Sequence, residues 1–305
     1  MARIAIIINP ISGTGGRLQV ARERAERAAS LVAARGLDAR VFLTERSGHA
    51  REIADAMLRE GAETVVAWGG DGTVNEVAST LAFRDATLGI IPSGSGNGLA
   101  RELHVPLDPA GAIDVALAGR DVQIDAGELD GHLFFNVAGI GLDARVAHRF
   151  AAEGVLNRGF RKYLSLTAQE LFSYSPDEHT IVADGDAVRV RALLIAIANS
   201  RQYGNGALIA PEARLNDGQL DVVVVAARSA LAALVQVPRI FAGQIARING
   251  VTMRRATEIT ITSAKPVVYH VDGEPYVGAA EITARTRPGA LRVRVPAGVQ
   301  LAVLA

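Results

Sequence analysis

With 305 residues, 49% hydrophobic and 21% charged side chains, the chain has apolar material for a well-buried core and too much length for one small domain, so two domains are expected. Thirty-two basic residues balance 32 acidic ones, which excludes the positive footprint that polyphosphate backbones select, and no nucleic-acid partner is expected. The absence of cysteine excludes thiolate chemistry, disulfide frameworks and cysteine-held zinc; the only lysines, Lys162 and Lys265, lie outside any glycine-rich loop, which excludes a Walker-type phosphate loop.

Residues 3–8 form a short apolar run stopped by Asn9-Pro10, too short for a signal core, and read as the first strand of a cytoplasmic protein. An arginine-, glutamate- and alanine-rich helix over 17–35 is closed by Gly36; its Arg22, Arg24, Arg27 and Arg35 alternate with acids in the manner of a solvated face. Strand 39–43, helix 49–60, strand 64–68, helix 74–81 and strand 88–91 follow, the alternation of a parallel sheet with crossover helices. From about Val122 the pattern changes to strands joined by tight turns, with Asp130-Gly131 and Asp184-Gly185 as hairpin signals. Helices interrupt this half at 160–174 and 229–248, the second with a kink expected at Pro238. The pattern therefore predicts an α/β first domain built on a parallel sheet over 1–124 and a separate antiparallel domain over 125–296, with the tail 297–305 placed back on the first domain. No uninterrupted apolar segment approaches the roughly 20 residues that span a bilayer, so membrane contact is expected to be peripheral.

In an open parallel sheet, ligands bind beyond the carboxyl ends of the strands, where backbone N–H groups at helix N-termini point outward. Strand one ends in Asn9-Pro10-Ile11-Ser12-Gly13-Thr14-Gly15-Gly16 and strand two in Thr44. Strand three leads into Gly69-Gly70-Asp71-Gly72-Thr73-Val74-Asn75-Glu76, and strand four into Pro92-Ser93-Gly94-Ser95-Gly96-Asn97. Glycine admits phosphate oxygens close to the backbone and hydroxyls supply donors without bulk, so these loops suit a nucleotide. Asp71, an acid between glycines at a strand end, is either the N-cap of the helix that follows or a carboxylate for a magnesium on the phosphates.

In this order and spacing, these loops resemble the diacylglycerol kinase catalytic-domain family, which includes bacterial lipid kinases and sphingosine kinase-like proteins. Gly139-Ile140-Gly141-Leu142-Asp143-Ala144, the stretch from Pro211 to Asp221 containing Leu215-Asn216-Asp217-Gly218, and Val271-Asp272-Gly273-Glu274-Pro275 extend the likeness over almost the whole chain. The resemblance implies a Rossmann-like three-layer α/β nucleotide domain followed by an antiparallel β-sandwich, and an ATP-dependent lipid kinase using Mg2+, with Glu274 as general base and Asp71 as the second catalytic acid. The nucleotide residues it marks are Asn9, Ser12, Gly13, Thr44, Gly69, Gly70, Asp71, Gly72, Thr73, Asn75, Glu76, Gly94, Ser95 and Asn97. It also implies a structural magnesium held by the loop of Arg214, Asp217 and Gln219, with Asp217 alone contributing a side chain. One position departs from the pattern: Gly98 follows Asn97 where bacterial diacylglycerol kinases usually carry aspartate, and Asp125 remains as another acid. The acceptor implied is a diacylglycerol or sphingoid-type lipid, in phospholipid metabolism at the inner membrane surface.

Read without the family, Glu274 is a turn glutamate and Asn216-Asp217-Gly218 is ordinary turn chemistry. The six histidines lack paired zinc spacing. Residues 158–164 combine cations and aromatics that suit an anionic surface, or form a helix packing Phe160, Leu164 and Phe172 inward; the same alternatives hold for 231–248. Two other functions stay open: an NAD kinase-like enzyme with a soluble acceptor, which also uses a Gly-Asp-Gly-Thr loop, and a non-catalytic nucleotide or lipid carrier. A homodimer is left open as the assembly.

Overall fold

The computed structural model describes residues 3–13, 18–152 and 160–299. Thr14, Gly15, Gly16, Arg158, Gly159, the side chains of 160–164 and the tail from residue 300 fall outside the described residues. The chain divides into two compact units, the first running to Ile124 and resuming at Gly289, the second spanning Asp125–Pro288.

In the first unit β1 (Ile4–Ile8), α1 (Leu18–Ala34), β2 (Ala39–Leu43), α2 (His49–Arg59), β3 (Thr64–Gly69), α3 (Asp71–Leu81) and β4 (Thr87–Pro92) alternate as expected. Two helices, α4 (Gly98–Glu102) and α5 (Pro109–Ala118), lead to β5 (Arg120–Leu129), within which the chain enters the second unit. All strand pairs are parallel in the order β2-β1-β3-β4. That order explains the sequence texture: β1, β3 and β4 are buried at every residue and read as continuous apolar runs, whereas β2, at the edge, alternates and exposes Arg40. The parallel arrangement carries the ends of β1–β4 to one edge of the sheet. Asp108 starts α5 by accepting the Gly111 N–H, with Pro109 as the first helical residue.

The second unit continues with β6 (His132–Phe134), β7 (Val137–Gly141), α6 (Leu142–Ala152), α7 (Phe160–Ser173), β8 (Glu178–Ala183), β9 (Asp186–Ala198), β10 (Gln202–Gly204) and β11 (Ala207–Leu208). It closes with β12 (Leu220–Ala226), α8 (Ala230–Phe241), β13 (Val251–Ala256), β14 (Glu258–Ser263), β15 (Val268–Val271), β16 (Glu274–Val277) and β17 (Glu281–Val295). One antiparallel layer runs β17-β14-β8-β9 and the other β16-β15-β7-β9, with β12 paired to β9 and β13 paired in turn to β12. The long β9 takes part in both, and Ile181, Ile195, Ile197, Val222, Ile259, Ile261 and Tyr269 fill the sandwich core. The hairpin turns Asp130-Gly131, Asp184-Gly185, Asn205-Gly206 and Asp272-Gly273 all place both residues at positive φ, the conformation that twists with the flanking strands. The last part of β17 returns to the first unit, parallel to β4 with Arg292 opposite Thr87.

Two expected boundaries differ. Helix α3 starts at Asp71, because Gly70 in extended conformation turns the chain directly into it. The helix expected over 229–248 stops at Phe241: Pro238 lies in its last turn, Gly243 follows at positive φ, and Ile245–Arg247 forms a separate short 3-10 turn. Helix α6 was not foreseen, although Leu142 and Val146 four residues apart form a buried helical stripe, with Phe150 packed beside it. Among the described residues, no helix is long and apolar enough to cross a membrane.

Candidate active site

The loops after β1, β3 and β4 are bonded to one another. Asn9 donates from Nδ2 to Thr73 Oγ1 at 2.8 Å, and the hydroxyls of Ser12 and Ser93 lie 2.5 Å apart. The Ser93 N–H donates to the Gly69 carbonyl at 2.8 Å. Gly70 and Gly94 meet backbone to backbone: a Cβ at Gly94 would lie 2.6 Å from Gly70 Cα, and one at Gly70 would lie 3.2 Å from Gly94 Cα. At Gly94 a Cβ would collide with the facing backbone, the physical reason for glycine in that loop, and at Gly70 it would be tight. Asn97, at positive φ, folds its amide back on the same turn, accepting the Gly94 N–H and donating to the Gly94 carbonyl, each at 2.8 Å. Gly72 and Ser95 stay exposed, with no atom within 4 Å of a Cβ at Gly72.

Asp71 does not cap its own helix. Its two carboxylate oxygens accept the N–H groups of Asn97 at 2.9 Å and Gly98 at 2.6 Å, the start of α4. A carboxylate bound this way still offers lone pairs to a cation. Gly98, where the family pattern has an acid, supplies one of these N–H groups and is buried. Glu76 accepts the N–H groups of Gly48 at 2.8 Å and Ala50 at 3.1 Å, tying α3 to the start of α2. That helix follows the loop opened by Thr44, which is buried and bonded through its N–H to the Ile8 carbonyl. Asn75 accepts from Ser79 within α3.

Arg24 is a residue the sequence assigned to the solvated face of α1. Its guanidinium donates instead to the Ser12 carbonyl at 3.0 Å, the Ser12 hydroxyl at 3.2 Å and the Asn9 carbonyl at 3.5 Å. Burial lowers its pKa, yet an arginine stays charged, so a fixed positive charge supports a loop cluster that has no lysine.

In the second unit Glu274 opens β16, exposed, immediately after the Asp272-Gly273 turn. Asp272 anchors that turn by accepting three backbone N–H groups, from Phe135 at 2.9 Å, Asn136 at 3.0 Å and Val137 at 3.1 Å. The Gly273 N–H donates to His270 Nδ1 at 3.2 Å, so His270 carries its proton on Nε2, 3.0 Å from Asp143 Oδ2. Tyr203 donates to the same Asp143 oxygen. Asp143 and His270 are both buried, and this interior network holds the turn from below. Nothing local marks His270 or Asp272 as a support of this turn; for Asp272 that role lies in partners 135 residues or more away in the chain.

The loop of Arg214, Asp217 and Gln219 is pinned by Asp125, a buried acid whose Oδ2 accepts the Gly218 N–H at 2.7 Å. Asp217 accepts the Gln219 N–H at 3.1 Å, and Asn216 Oδ1 is buried with no hydrogen-bond partner. The Asp217 carboxylate and the unsatisfied Asn216 amide oxygen beside it in the chain are hard oxygen donors of the kind a divalent cation takes. Among the described residues, no cluster of three or more His, Cys, Asp or Glu side chains could hold a metal.

Glycine and hydroxyl loops gathered at one strand edge of the Rossmann-like unit, and an exposed acid on a tight turn of the β-sandwich unit, are features that similarity to known proteins places in a class of kinases. Residues 3–129 match the family described as diacylglycerol kinase catalytic domain, and residues 136–295 the one described as YegS C-terminal NAD kinase beta sandwich-like domain. A Klebsiella pneumoniae (strain 342) protein named "Probable lipid kinase YegS-like" is 32% identical over 289 residues, covering 94% of each chain. One of the same name from Pseudomonas aeruginosa PAO1 is 33% identical, covering 91% of each. The chain belongs to the YegS-like lipid kinases of the diacylglycerol kinase catalytic-domain family. A solved chain from Bacillus anthracis str. Sterne superposes with a TM-score of 0.80 at 22% identity, over 96% of this chain and 95% of that one. Another from the same organism, described as a diacylglycerol kinase, gives 0.72 at 20% identity over 96% of each; both support the fold.

Proposed function

We propose that this lipid kinase transfers the γ-phosphoryl group of ATP to a hydroxyl of a diacylglycerol or sphingoid-type lipid, with Glu274 as the base. The observation that carries the reading is the mutual bonding of the β1, β3 and β4 loops through Asn9, Thr73, Ser12, Ser93, Asp71 and Asn97. It satisfies the loops internally and leaves Gly72 and Ser95 open to a ligand. Phosphoryl transfer asks a protein chiefly for alignment and charge stabilisation, which preorganised loops supply. The lipid hydroxyl loses its proton to the Glu274 carboxylate as its oxygen bonds to the γ-phosphorus; the bond to the β-phosphate bridging oxygen breaks, and ADP leaves. A positioned base of this kind contributes about 100- to 10,000-fold. Arg24 backs the phosphate-facing loops with positive charge. Magnesium, when bound, would neutralise phosphate charge, with Asp71 as its holder there and the Arg214, Asp217 and Gln219 loop as a structural holder. With ATP from the cytoplasm and the acceptor in the bilayer, the proposed reaction would run at the inner membrane surface.

The test is incubation with γ-labelled ATP and either dispersed membrane lipid or NAD. Label in a chloroform-soluble product supports the reading. Label in NAD alone points to a soluble acceptor, and ATP binding without label in either points to a carrier.

A further inference from the structure

Helix α8 is apolar on both sides. None of Ala230–Phe241 is buried, and only Gln236 and Arg239 carry polar side chains. One side has a partner: Ala230, Ala233 and Leu234 pack on the cluster of Leu142, Val146, Leu166, Leu171 and Leu193, and Ile240 packs on a neighbouring cluster. The opposite side presents Leu231 at 68% and Val235 at 74% exposure, with exposed Pro238 continuing the row and Phe241 at 41% near the helix end. Their spacing of three and four makes one stripe. A soluble helix normally turns polar residues to that side.

The charge around the stripe is one-signed. From Val222 to Thr257 the sequence has no aspartate or glutamate, but it has five arginines. Arg254 pairs with Asp186, and Arg255 with Asp221 and Glu212. Arg228 precedes the helix, Arg239 lies in its last turn and Arg247 closes the short 3-10 turn that follows, so the chain flanking the stripe is cationic. We propose that α8 docks the protein on an anionic bilayer, with Leu231, Val235 and Phe241 entering the headgroup boundary and Arg228, Arg239 and Arg247 meeting lipid phosphates. A second copy of this chain fits the face poorly, because a two-fold contact would set these arginines against themselves. An anionic lipid surface complements them. The use of this docking, delivery of the enzyme to an acceptor in the same bilayer, rests on the lipid-kinase reading above; the docking itself does not.

The experiment is co-sedimentation of the full chain with phosphatidylglycerol-rich or phosphatidylcholine vesicles, without nucleotide, so that its outcome is independent of catalysis. The wild type should bind the anionic vesicles and be released by salt. Leu231→Ser with Val235→Ser should lower partitioning about tenfold or more. Arg228→Gln, Arg239→Gln and Arg247→Gln together should lower it about a hundredfold on anionic vesicles and little on neutral ones. All these positions lie on or beside the exposed stripe, and unchanged melting midpoints confirm that the variants fold. Wild-type binding by both folded variants overturns the proposal. So does a concentration-dependent dimer in sedimentation velocity that the Leu231 and Val235 changes dissolve, with no vesicle binding.

Discussion

Replacing Asp272 by asparagine probes the turn that carries Glu274. The aspartate takes three backbone N–H groups: one oxygen serves Asn136 and Val137, the other Phe135. Asparagine has one acceptor, so at best it keeps the first two bonds without their charge and sets an amide N–H against the Phe135 N–H. Weakening two charge-assisted bonds costs about 0.5–1 kcal/mol each, and an unsatisfied donor about 1–3 kcal/mol, a total of about 2–5 kcal/mol. Unfolding by urea, followed by a probe in the second unit, should show a lower midpoint at unchanged m. Turnover should fall with it, while ATP affinity, set in the first unit, holds. An ion-paired aspartate on a neighbouring hairpin provides the control: Asp186→Asn, whose side chain is 82% exposed beside Arg254, should change stability by less than about 0.5 kcal/mol. If Asp272→Asn behaves like that control, the carboxylate does not hold the turn.

Three further predictions concern other parts of the structure. Gly94→Ala forces a Cβ against Gly70 Cα and should lower ATP affinity about tenfold or more, with about 1–3 kcal/mol lost from the first unit; calorimetric titration with ATP checks it, and wild-type affinity would refute the close loop contact. Arg24→Gln should raise the KM for ATP several-fold while leaving that for the lipid unchanged, since the positive charge behind the Ser12 loop is lost; an unchanged KM would return Arg24 to a solvated face. Glu170, its side chain 2% exposed and paired with Arg145 and Arg149, has its pKa held below the ordinary value of 4.5, chiefly by the Arg149 hydrogen bond. Its stabilisation is therefore complete above that value and disappears as pH falls through the lowered folded value. Glu170→Gln should cost about 1–2 kcal/mol near neutrality and flatten the acid side of the stability profile; parallel profiles for the two proteins would contradict it.

The alternation of strands and helices, the parallel sheet and the positive-φ hairpins were legible because each is written in short-range pattern: apolar runs at buried strands, Asp-Gly at turns. The glycines of the nucleotide loops were legible for the same reason. What those residues bond to was not. Asp71 reads locally as the cap of its own helix, yet its partners are 26 and 27 residues away on α4. Glu76 likewise serves α2, and Arg24 sits in an alternating charged helix that gives no sign of the Asn9 and Ser12 carbonyls it reaches. Helix α6 was not legible because its first residues complete a glycine-rich motif, a composition that does not mark a helix start, and the spacing of Leu142 and Val146 alone carries its stripe. The break in α8 follows from Pro238 and Gly243 acting together, where proline alone suggested a kink.

The decisive comparison sets wild type beside Glu274→Gln, with γ-labelled ATP and dispersed membrane lipid, while ATP affinity is measured by calorimetry on both. A base at Glu274 requires label in lipid from the wild type, loss of that label in the variant by about 100-fold or more, and equal ATP affinities. Wild-type rates of lipid labelling by Glu274→Gln would contradict it.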